Sequence, residues 1–223
     1  MYSVYMSQME LFEENRQESP PDLNLPRGEQ LFELSVNAWY AAIHAAMSEL
    51  PIQKEISSFV EKTAKAGSRA AAERIAFDRG DPDVLVVLQT ARKVLAEIHR
   101  MTGFLRFNPE SAGVYTARCS PDYNILPALA DHFTLRFGET PWAIIDEKRN
   151  LCLCRENGGT TRLVPLPPAG SEQVSTERSP ADPWEDMWRL YHRSINNESR
   201  KNTALQQQCM PKRYHKYLPE MNP

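Results

Sequence analysis

Apolar residues recur every three or four positions from Glu29 onward, which is the period of a helix with one buried stripe. Phe32, Val36, Trp39, Ile43, Met47 and Leu50 form the first stripe, and Pro51 punctuates it. Ile52, Ile56, Phe59 and Val60 mark a second helix, and an Ala-rich helix follows between Ser68 and Arg79. Gly80-Asp81-Pro82 is a start signal, because Asp81 can cap the free amides and Pro82 suits the first helical position. The helix it opens aligns Val84, Val87, Leu88, Ala91, Val94, Leu95, Ile98 and Met101, and Gly103 is its expected stop.

Beyond Gly103 the period shortens. Phe104–Phe107 and Val114–Cys119 read as strands, with turn formers Asn108-Pro109 and Gly113 between them. A helix starting near Tyr123 aligns Leu126, Leu129, Ala130, Phe133 and Phe137, with Pro127 in its first turn. Three strands follow at Trp142–Asp146, Leu151–Arg155 and Thr160–Leu166, the last two joined by the hairpin signal Asn157-Gly158. Asp182-Pro183 repeats the cap-and-proline signal, and Trp184, Met187, Trp188, Tyr191 and Ile195 share one face of the next helix. Pro211 opens a short helix in which Tyr214 and Leu218 would pin the chain end to the body.

These elements predict an α+β fold: a helical N-terminal half, then an antiparallel sheet of about five strands with helices packed on it. The expected organisation is a poorly ordered acidic segment at 1–28, a helical region at 29–103, a sheet region at 104–166, a linker loop at 167–181, and C-terminal helices with a basic tail at 182–223.

Charge changes this picture more than bulk composition does. The 223-residue chain carries a net charge of −3, which argues against a coat protein that binds DNA through overall basicity. The charge is uneven, however. Residues 1–35 hold seven carboxylates against Arg16 and Arg27, whereas 199–217 hold Arg200, Lys201, Lys212, Arg213 and Lys216 with no acid. A polyanion would land on the second segment. There Tyr214, His215 and Tyr217 stand among the cations, so one turn offers charge for phosphates and rings for base stacking. A solvated basic helix end is the competing reading. Arg100 and Arg106 could extend the track.

Motifs for common catalysis are missing. No Gly-rich phosphate loop, dinucleotide fingerprint, nucleophile elbow or zinc-binding helix occurs. Cys152-x-Cys154 has the wrong spacing for a zinc knuckle, and no metal or cofactor is expected. His99, His132 and Asp146 are the candidate catalytic groups for acid–base work on a phosphate or base, with Arg100 and Arg106 beside them. The four cysteines do not read as a disulfide framework. No apolar run reaches the ~18 residues of a membrane span, and the N-terminus lacks the pattern of a secretory signal. The expected location is the cytoplasm.

Three stretches carry a family likeness: "DPDVLVVLQTARKVLAEIHRMTGFLRF" (81–107), "PDYNILPALADHFTLRFGETPWAIIDEKRNL" (121–151) and "LQQQCMPKRYHKYLPEM" (205–221). With the helix from Trp184 to Ile195 they resemble a bacterial family described as probable DNA-metabolism or DNA-repair proteins. That family is linked to a radical SAM partner, and related domains occur fused to uracil-DNA-glycosylase-like proteins. The likeness covers most of residues 81–221, and the first 80 match poorly. It implies DNA and a radical SAM protein as partners and supplies no proven active site. The chain lacks the Cys-x3-Cys-x2-Cys pattern for a radical SAM cluster, so that chemistry would belong to the partner. The resulting expectation is a DNA-associated accessory protein of a repair or modification system. The alternatives are a stand-alone nucleic-acid-processing enzyme and an adaptor that grips only protein.

Overall fold

The computed structural model describes residues 27–110, 113–166 and 183–221. The acidic segment up to residue 26 and the linker at 167–181 lie outside the described residues.

The helical half contains α1 (Gly28–Leu34), α2 (Val36–Ala46), α3 (Gln53–Ala64), α4 (Arg69–Ala76) and the 23-residue α5 (Pro82–Phe104). The first stripe, expected as one helix, is broken at Ser35. That residue turns extended and its hydroxyl accepts from the Ala38 amide at 3.0 Å, capping α2. Asp81 caps α5 as expected, accepting from the amides of Asp83 and Val84 at 2.9 and 3.4 Å. Lys62 of α3 reaches Asp81 and Asp83 at 2.6 and 2.9 Å, fixing the start of α5 against α3.

The sheet has five strands in the order β1 (Asn108–Pro109), β2 (Tyr115–Cys119), β3 (Trp142–Asp146), β4 (Leu151–Arg155) and β5 (Thr161–Pro165). The mixed architecture is the expected one, helices first and then a mostly antiparallel sheet. Two details differ. Phe104–Phe107 is not a strand: α5 runs through Gly103 to Phe104, and the Leu105 amide bonds the Met101 carbonyl at 3.1 Å. Gly103 keeps a negative φ, so it does not make the left-handed stop. The apolar side chains there serve the core instead, with Phe107 against Phe133 and Phe137. Second, β2 and β3 pair in parallel, because α6 (Leu126–Phe137) makes the crossover between them.

That crossover helix lays Leu126, Leu129 and Phe133 on the sheet face that carries Trp142, Ile144 and Leu153. Arg149, in the β3–β4 turn, joins the two halves of the molecule. Its guanidinium bonds Asp146 and Glu49 at 2.8 Å each and the Pro121 carbonyl at 3.2 Å.

The C-terminal part comprises α7 (Pro183–Ile195), a 3-10 turn at Glu198–Arg200, α8 (Thr203–Cys209) and further 3-10 turns at Lys212–Tyr217 and Pro219–Met221. Pro211 does open a helical turn, but a 3-10 one. Among the described residues no helix is long and apolar enough to cross a membrane.

Candidate nucleic-acid interface

The basic chain end folds back as a strap across α5 and the sheet. Tyr214 and Leu218 are its anchors, only 1 % and 0 % exposed. Their burial is the pinning that their spacing predicts. Tyr214 packs its ring on Phe104 at 5.7 Å and donates its hydroxyl hydrogen to Glu97. Glu97 is fully buried on α5, where it also accepts from the amides of Asp122 and Tyr123 at 2.8 and 2.9 Å. Burial and the bond to Glu97 push the Tyr214 hydroxyl up to about 12.

The neighbouring cations are paired with carboxylates of the protein itself, which corrects the expectation that they stand open to a polyanion. Arg213 bonds Asp122 at 2.6 Å, approaches Glu97 at 3.9 Å and lies 4.7 Å over the Tyr214 ring. Burial works against its charge, but Tyr214, Asp122 and Glu97 more than offset this and hold its pKa above the ordinary value. Lys216 reaches Glu147 at 3.2 Å, and Tyr217 donates to the same carboxylate at 2.7 Å. Arg106 bonds Glu220 at 2.6 Å and sits 5.5 Å over the ring of Trp188, whose indole N–H also bonds Glu220. His215 is half-buried, with its ring nitrogen 3.1 Å from the Met210 carbonyl. Arg100 is half-buried on α5.

Arg200, Lys201 and Lys212 lie around α8. All three are exposed, the first two just before α8 and the third just after it. Arg213 and Lys216, with side chains 44 % and 60 % exposed, face solvent as well.

The candidate catalytic groups do not assemble. Asp146 is fully buried, and its carboxylate accepts from the Lys148 and Arg149 amides and from the Arg149 guanidinium, so it builds a turn. His132 is exposed on α6, edge-on to Phe133, and shares no hydrogen bond with Asp146. Partial burial and Arg136 lower its pKa. His99 is exposed on α5. A narrow recess under the strap is lined by Met101, Phe104, Leu105, Arg118, Cys119, Tyr214 and Tyr217. The Cys119 thiol there is buried beside Asp146 and Glu147, which drives its pKa far up and keeps it protonated. Among the described residues no group of three His, Cys, Asp or Glu could hold a metal ion, and all four cysteines are free thiols.

Residues 54–220 match the family described as a domain of unknown function, DUF4130. The chain belongs to this family. No curated protein and no solved structure matches it. The DUF4130 region runs from α3 through the sheet to the strap, so Glu97 and Tyr214 fall within it while α1 and α2 lie outside.

Glu97, Glu147 and Glu220 were not singled out by sequence reasoning. Glu97 alone left a trace: a carboxylate spaced three and four residues from Val94 and Met101, on the buried stripe of α5. A charge on such a stripe signals a buried partner.

Proposed function

We propose that this chain is a cytoplasmic accessory protein of a DNA repair or modification system, contacting nucleic acid and working beside a radical SAM partner. The likeness of residues 81–221 to DNA-metabolism proteins supports the setting. The contact is assigned to Arg200, Lys201 and Lys212. The observation that carries it is the exposure of these three cations around α8, on a segment, 199–217, that contains no acid. Three cations flanking α8 can neutralise phosphates without reading sequence, and the binding free energy comes largely from released counterions. A role in holding or delivering a strand needs no more than that. The free thiols fit a reducing compartment.

Fluorescence anisotropy with a labelled single-stranded oligonucleotide tests this. The wild type binds at low salt, and a variant with Arg200→Ala, Lys201→Ala and Lys212→Ala binds at least about tenfold more weakly. Absence of wild-type binding at low salt, or equal binding by the variant, overturns the proposal.

A further inference from the structure

Helix α7 sits on the body with its polar side inward. Arg189 reaches the Pro219 carbonyl at 3.3 Å, Glu185 takes a bond from Asn108 at 3.4 Å, and Trp188 bonds Glu220. The apolar ridge points the other way: Met187, Leu190, Tyr191 and Ile195 are 59, 68, 53 and 57 % exposed. An amphipathic helix ordinarily buries such a ridge, and a contiguous exposed one marks a docking surface. Leu205 of α8 adds a further exposed apolar side chain in the same arm.

We propose that this ridge pairs with the α7 ridge of a second copy of the chain, in antiparallel orientation. The charges along the helix choose that occupant. Asp186 and Arg193 are seven residues apart, so they lie on the same flank of the ridge, with Leu190 between them. Both are exposed. When two such helices run antiparallel, Asp186 of each meets Arg193 of the other, twice by symmetry. A parallel pair would place the two flanks on opposite sides of the seam, so neither charge would meet its counterpart. The bond from Arg189 to Asp186 at 3.0 Å is an exposed contact of small worth, so it yields readily to the intermolecular one. A 13-residue helix is only about 20 Å long. Its pairing buries less than the roughly 1,200 Å² of a permanent interface, which makes the dimer reversible and concentration-dependent.

Sedimentation of the full chain over a roughly hundredfold dilution range tests this pairing, independently of any nucleic-acid contact. The wild type moves from monomer toward dimer as concentration rises. Leu190→Glu stays monomeric, as do Asp186→Arg and Arg193→Asp singly, while the double variant Asp186→Arg, Arg193→Asp recovers the dimer. Circular dichroism melts check that each variant keeps the fold, which is expected because all three positions are exposed. A wild type that is monomeric throughout, as it would be if residues 1–26 or a different protein covered the ridge, overturns the proposal. So does a Leu190→Glu variant that dimerises like wild type, or a folded double variant that stays monomeric.

Discussion

Tyr214 donates its phenolic hydrogen to Glu97, a residue 117 positions earlier in the chain, and neither side chain reaches solvent. The pair closes the strap onto the longest helix. Tyr214→Phe leaves one oxygen of a buried carboxylate short of a donor, so it costs about 1–3 kcal/mol of stability. Tyr214→Ala removes the ring from Phe104 as well and costs about 3–5 kcal/mol. Urea unfolding of the two variants measures both, and a Phe variant as stable as wild type would show that the bond contributes nothing.

Alkaline pH should loosen the same contact. Burial and Glu97 raise the Tyr214 hydroxyl to about 12 in the folded chain, against about 10 when unfolded. The folded state therefore holds its proton more tightly, and this stabilisation is complete below pH ~10 and lost as pH rises toward 12. Denaturation midpoints across that window should fall in the wild type and fall less in Tyr214→Phe.

At the acid end the strap responds through Glu147 and Glu220. Burial raises both carboxyls, but bonds from Tyr217 and Lys216 in one case, and from Arg106 and Trp188 in the other, leave each below its usual value. Their stabilisation is present above the unfolded carboxylate range and is lost as pH falls through the lower folded values. Replacing both with Gln should flatten the acid limb of the stability profile; an unchanged limb would rule these carboxylates out of it.

Much of the framework was legible because its signals are local. Asp81-Pro82 starts α5, Asn157-Gly158 turns the last hairpin, and the spacing of Tyr214 and Leu218 announced a buried face. What escaped depends on distant partners. Nothing near Arg213 or Lys216 reveals that Asp122 and Glu147 are folded against them, so an acid-free stretch of sequence became a paired surface in three dimensions. Gly103 looked like a helix stop, yet that role needs a left-handed backbone, which the core packing of Phe104 and Phe107 does not demand. The break at Ser35 was hidden because the apolar stripe continues on both sides of it. The stripe of α7 was visible, but its outward direction was not, since direction is set by Glu220 and Pro219 at the far end of the chain.

Ser35 also provides a test of the helical half. Its hydroxyl accepts from Ala38 and donates to Glu73 at 2.6 Å, tying α2 to α4. Ser35→Ala removes a cap and leaves a polar partner behind, which should cost about 1–2 kcal/mol. A change in thermal midpoint within error of wild type would contradict this.

The proposed division, between strap cations engaged by the protein's own carboxylates and arm cations assigned to nucleic acid, is tested most directly by the salt dependence of single-stranded DNA binding in two variants. Three phosphate contacts at about 0.7 each give the wild type a log–log slope near −2. Lys216→Ala should keep that slope, and the Arg200, Lys201, Lys212 triple Ala variant should flatten it toward zero. The reverse pattern, a slope lost with Lys216 and retained without the arm cations, would contradict the account.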